Sequence, residues 1–81
     1  MNALNFDYDI ENGYAWITLD NKMTVQACIE DQQAKVIKKT NCGHNWGLSG
    51  DNNEAAFEAF GEDECMNALF LEAENNGFEV I

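Results

Sequence analysis

The stretch Leu4 to Ile10 (LNFDYDI) alternates strictly between apolar and polar side chains, and Asn12-Gly13 and a second strand-forming run, Tyr14 to Leu19 (YAWITL), follow it. No other feature limits the fold as much. A period of two sends successive side chains to opposite faces of a strand. Asn-Gly between two such runs is the strongest short hairpin signal, and a two-residue turn of that kind needs positive φ at both residues. That turn sets Glu11 opposite Tyr14, Ile10 opposite Ala15, Asp9 opposite Trp16, Tyr8 opposite Ile17 and Phe6 opposite Leu19. Facing residues share a side of the sheet. Leu4, Phe6, Tyr8, Ile10, Ala15, Ile17 and Leu19 then form the core face. Asn5, Asp7, Asp9, Glu11, Tyr14, Trp16 and Thr18 form the outer face.

Asp20-Asn21-Lys22 reads as a three-residue turn that keeps Met23, Val25, Ala27 and Ile29 on the core face with Leu19. After a further turn near Asp31-Gln32, Ala34 to Lys39 (AKVIKK) reads as a fourth strand. Three of the four lysines sit there, and lysine commonly guards an open sheet edge. Thr40 to Asn53 is a glycine- and asparagine-rich connection carrying Cys42, His44 and Trp46. Asp51-x-x-Glu54 resembles a capping box, which starts a helix near Asn52. Ala56, Phe57 and Phe60 form one apolar stripe; Met66, Leu69, Phe70 and Ala73 form another at i, i+3, i+4, i+7. At 3.6 residues per turn the two stripes lie roughly 135° apart on a straight helix. They cannot both face one sheet, so a break is expected at Gly61. Asn76-Gly77 stops the second helix, and Phe78 to Ile81 reads as a short strand rejoining the sheet. The expectation is one α+β domain over residues 1–81: an antiparallel β-meander of about four strands, two short helices packed on one face, and a short C-terminal strand.

Composition narrows the function classes. The chain has 81 residues, fifteen acids, four lysines and no arginine, for a formal charge of −11. With 46% apolar residues it is too rich in core material for a disordered acidic tail. No apolar run approaches the ~18 residues of a membrane span, and the N-terminus carries no basic or apolar segment, so no signal peptide is expected. A charge of −11 repels nucleic acid and anionic membrane and attracts basic proteins. Three cysteines (Cys28, Cys42, Cys65) at wide spacing, with no C-x-x-C pair, fit free thiols in a reducing cytosol. Cys42-x-His44 lacks the close-spaced partner pair of zinc sites. Asp7-x-Asp9-x-Glu11-Asn12-Gly13 only superficially opens like an EF-hand loop. Its glycine falls one place late, and Thr18 stands where the closing glutamate belongs. One histidine, no arginine and no marked pair of carboxylates argue against an enzyme. Neither cofactor nor metal is expected.

The remaining signal is acidity. Asp7, Asp9 and Glu11 line one strand face at intervals of about 6.7 Å, near Tyr14 and Trp16. The helical half adds Glu54, Glu58, Glu62, Asp63, Glu64, Glu72 and Glu74, and no lysine or arginine occurs from Thr40 to Ile81. Like charges at i, i+4 cost about 0.2–0.5 kcal/mol per pair. Such one-sidedness exceeds what solubility asks for. An ordinary solvated face with aromatic strand formers is the bland alternative for the strand, and cover of Trp16 by the Cys42–Leu48 loop is another. Leu71 falls on the far side of the second helix, where it either packs on the first helix or anchors a partner. Halophilic adaptation fits poorly, since there are eleven asparagines and the acids cluster by segment.

In size, acidity and α+β pattern the chain resembles small phage-encoded anti-CRISPR and DNA-mimic inhibitors. The resemblance covers the whole chain without a diagnostic motif. It implies a non-catalytic cytoplasmic protein, a monomer or weak homodimer, that occupies a basic nucleic-acid-binding surface of a host protein or ribonucleoprotein, above all a CRISPR effector. Those families share little sequence, so the resemblance assigns no residue; the charge and aromatic pattern of this chain itself offers Asp7, Asp9, Glu11, Tyr14, Trp16 and the seven helix acids as partner-binding candidates. The competing expectation is a small interaction or assembly module, without mimicry.

Overall fold

The computed structural model describes residues 3–20, 22–39 and 50–81. Three strands, β1 (Ala3–Asp9), β2 (Tyr14–Leu19) and β3 (Thr24–Cys28), form an antiparallel meander in the order β1-β2-β3. Two short strands, β4 (Val36–Ile37) and β5 (Glu79–Val80), pair in parallel. Between them run α1 (Gly50–Phe60) and α2 (Glu62–Asn75). The fold is α+β, as the alternating and helical patterns require.

The division of faces matches the alternation. Ala15, Ile17, Leu19, Val25, Ala27 and Ile29 are buried, with Phe6, Tyr8 and Ile10 packed beside them. The register differs from the expected one by two residues: Tyr8 faces Ala15, Phe6 faces Ile17, Asp7 faces Trp16 and Asp9 faces Tyr14. From Asn5 to Asp9 a shift of two keeps each side chain on its own face, so the apolar pattern cannot distinguish the two registers; before Asn5 the register shifts again and Ala3 faces Leu19. The turn decides. Asp9 accepts hydrogen bonds from the Asn12 backbone N–H (3.2 Å) and side-chain amide (2.7 Å), and its carbonyl accepts from Gly13 N–H (2.9 Å). These bonds close a four-residue loop, Ile10 to Gly13, instead of a two-residue one. Only Gly13 then has positive φ (77°). That φ favours glycine; a Cβ there would meet only the end of the exposed Gln32 side chain, at 3.0 Å, which can move aside.

The second connection is as expected. Leu19 N–H donates to Met23 at 2.8 Å, enclosing residues 20–22, with Lys22 at φ 70°.

The fourth strand departs from the meander. Asp31 bridges Val36 at a single position, and its carboxylate accepts from the Gln33 and Ala34 N–H groups (both 3.0 Å). The chain then leaves the β3 edge, and Val36–Ile37 pairs with Glu79–Val80. The physical reason lies on β3. Leu19 bonds to Met23 and Ile29 to Gly13, so alternation along the ladder points the Gln26 backbone groups outward. Asn53 of α1 takes both: its Oδ1 accepts from Gln26 N–H (2.8 Å) and its Nδ2 donates to Gln26 C=O (3.1 Å). A side-chain amide therefore occupies the place where a fourth strand would add. On the opposite edge, Asp7 accepts from the outward N–H of Tyr8 at 2.8 Å. Asn53 and Asp7 thus protect the sheet edges, the role expected of the lysines. Two of the lysines pack on aromatics instead: Lys35 Nζ lies 5.1 Å from the Tyr8 ring centre and 5.7 Å from that of Phe78, and Lys39 Nζ lies 5.7 Å from that of Phe70.

The helices pack as the two stripes require. Ala56 is buried and Phe57 and Phe60 half-buried on α1; Cys65, Met66, Leu69, Phe70 and Ala73 are buried on α2. The break falls at Gly61, at φ 92° and ψ 141°. Helix α1 starts at Gly50, two residues before Asn52, which places Asp51 inside its first turn and not ahead of it. Helix α2 ends in a Schellman motif: Phe78 N–H reaches Ala73 C=O (3.0 Å) and Gly77 N–H reaches Glu74 C=O (3.2 Å). Phe78 is thereby set against Tyr8 and Phe6, with ring centres 5.0 and 5.8 Å away.

Candidate partner-binding surface

The structure divides the candidate residues between two faces. On the side of the sheet away from the helices stand Tyr14 and Trp16, half-buried, with ring centres 5.3 Å apart and planes 33° apart. Asp7 lies directly across from Trp16, and Asp9 across from Tyr14. Glu11, expected opposite Tyr14, sits in the turn instead, because the four-residue loop has taken it out of the ladder. It is exposed, and its carbonyl accepts from the Gln32 amide at 3.3 Å.

The helix acids lie on the other layer. Glu54, Glu58, Glu62, Asp63, Glu64 and Glu74 are exposed and Glu72 is half-buried, while the opposite stripe of each helix is buried with the sheet. Glu54 and Glu58 share one face of α1, but the continuation to Glu62 is cut by the turn in direction at Gly61. Glu62, Asp63 and Glu64 occupy the first turn of α2, whose N-cap Gly61 offers no side-chain cap. There the acids meet the positive end of the helix dipole, which favours them. Leu71 is 60% exposed on the same layer, so packing on α1 does not claim it. Through residue 39 the chain carries six acids and four lysines, a net charge of −2; from residue 40 onward nine acids and no base give −9.

The carboxylates on the sheet face are not equivalent. Both oxygens of Asp9 are held by Asn12, and these hydrogen bonds, the side-chain one foremost, lower its pKa below the ordinary 3.8. A depressed carboxylate stabilises the fold above its unfolded pKa, and that contribution is lost as pH falls through the folded one. In an NMR titration the Asn12 amide resonances should therefore move with a midpoint below the ordinary 3.8. Movement centred above that value would show that the Asp9–Asn12 bonds do not form. Asp7 gives one oxygen to Tyr8 N–H and is otherwise exposed.

The cysteines divide similarly. Cys65 is fully buried, donates to Ala56 C=O at 3.4 Å, and burial, with Glu64 nearby, pushes its thiol pKa up. It is a packed thiol, not a nucleophile. Cys28 is half-buried across from Tyr14. Cys42, His44 and Trp46 lie outside the described residues. Among the described residues, no group of three or more His, Cys, Asp or Glu is placed to hold a metal ion, and no helix is long and apolar enough to cross a membrane.

One residue, Asn53, and one bond, from Tyr8 N–H to the Asp7 carboxylate, were not foreseen from the sequence. Asn53 looked like loop polarity before a helix, and only its burial to 3% exposure reveals its role. The backbone bond of Asp7 likewise has no sequence signature. No protein-family model, no curated protein and no solved structure matches the chain.

Proposed function

We propose that this protein is a non-catalytic acidic inhibitor whose helical layer docks on a basic nucleic-acid-binding surface, a CRISPR effector complex being the target class suggested by the resemblance. One observation carries the reading: the exposed carboxylates of α1 and α2 share a layer, and no base occurs on either helix to neutralise them. Carboxylates several ångströms apart can take the place of phosphates for lysine and arginine in a cationic groove, and the field steers encounter. Glu62, Asp63 and Glu64 have a second occupation at the α2 terminus, so Glu54, Glu58 and Glu74 are the cleaner probes.

Reversing these three to lysine should weaken binding to a guide-loaded effector complex by at least tenfold at low salt. The helix content, read by circular dichroism, should be unchanged. The unaltered protein should lose affinity steeply between 50 and 200 mM salt, and the variant much less. A folded triple variant that binds and inhibits normally overturns the proposal. The assembly-module reading has its own support in Leu71, 60% exposed. It requires self-association that is insensitive to salt and lost in Leu71→Ser.

A further inference from the structure

The geometry points to the sheet face away from the helices as a binding surface for arginine side chains of a partner protein, with the guanidinium lying on the Trp16–Tyr14 ring pair and reaching the Asp7 carboxylate. This inference does not rest on the helical layer. Tyr14 and Trp16 touch each other, yet neither belongs to the apolar cluster that includes Phe6 and Tyr8. Among the described residues, their ring contact is with each other and not with that cluster. They stand on the central strand, with Asp7 and Asp9 across from them on β1. Asp7 is held at one oxygen by Tyr8 N–H, which orients the carboxylate, and among the described residues its other oxygen has no hydrogen bond. Asp9 contributes charge alone, because Asn12 holds both its oxygens. None of β1, β2 and β3 contains a lysine, so no basic side chain of the sheet competes for the rings.

The chemistry selects arginine over lysine. A guanidinium is planar, weakly hydrated and able to stack on an aromatic face while its edge donates to a carboxylate. An ammonium is a strongly hydrated point charge that gains less from two rings and one oxygen. The lack of any base on this face makes charge complementarity the argument for a cationic occupant over an apolar one.

The test uses the full chain and two peptides of equal length and charge, four Gly-Arg repeats and four Gly-Lys repeats. Binding is read by NMR from the Ala15 backbone N–H, which every variant retains, and in the unaltered protein also from the Trp16 indole N–H. The arginine peptide should bind roughly tenfold more tightly than the lysine peptide. Trp16→Thr, which keeps a strand-forming residue, should abolish that preference, and Asp7→Asn should weaken arginine binding several-fold while still accepting from Tyr8 N–H. Reversing Glu54 and Glu58 to lysine should weaken both peptides alike and leave their ratio intact, which separates this site from the helical layer. Equal affinity for the two peptides in the unaltered protein overturns the inference without reference to any variant. So does a ratio that survives Trp16→Thr. An indole signal that moves with protein concentration alone overturns it too, by showing that a second copy covers the face.

Discussion

Replacing Asn53 with leucine will destabilise the protein by about 2–4 kcal/mol, seen as a lower urea midpoint with little change in slope. Asn53 is 3% exposed and satisfies both the N–H and the C=O of Gln26. Leucine fills similar space but offers no donor and no acceptor, so two backbone groups lose their partners under the helix. Each such group costs about 1–3 kcal/mol. The extra apolar contact of leucine offsets only part of this, because a polar pocket does not gain from it. For a domain of this size each kcal/mol moves the melting temperature by about 4–8 °C. Asn53→Asp separates the two bonds. It keeps the acceptor for Gln26 N–H but sets an oxygen against Gln26 C=O. Burial and that contact raise the new carboxyl's pKa above its unfolded value, so the variant is more stable in acid than at neutrality. A midpoint for Asn53→Leu within 0.5 kcal/mol of the unaltered protein would mean that the amide bridge does not hold the edge.

Gly61→Ala is expected to cost about 1–3 kcal/mol, for a reason that involves no clash. A Cβ at Gly61 meets nothing within 4 Å. The whole penalty is backbone: φ 92° with ψ 141° is a conformation that side-chain-bearing residues avoid. The chain could escape by continuing one helix through alanine. That would rotate the α2 stripe roughly 135° away from the sheet. Met66, Leu69 and Phe70 would then lose burial worth about 1.5–3 kcal/mol each. The strain is the smaller loss, so the break persists and the variant is a strained copy of the same fold. Chemical denaturation should show the reduced stability, while circular dichroism shows unchanged helix content. An increase in helicity together with exposed apolar surface would mean that fusion, not strain, is the outcome.

These two residues also mark how far the sequence can be read. Gly61 was legible because two apolar stripes with conflicting directions leave only one place for a change of axis. The faces of the hairpin were legible because a period of two admits one division. Asn76-Gly77 was legible as a stop. The hairpin register was not, since Asp9 and Asn12 close the loop with side-chain bonds to which the alternating pattern is blind. Of the candidate partner-binding residues, Tyr14, Trp16, Asp7 and Asp9 do share the expected face, though paired two positions away from the expected register. Glu11 drops into the turn. The helix acids lie on the other layer, as expected of helices packed on the core face of the sheet.

By itself the sequence determined which residues are inside, where strands give way to helices, and that the second half carries uncompensated negative charge. These follow from local periodicity and from simple counting, neither of which needs the third dimension. Only the tertiary structure decided that Asn53 occupies the edge where a fourth strand would have added, and that β4 turns to β5. Those outcomes depend on which backbone groups are left outward-facing once the sheet has formed, and on what distant side chain can reach them.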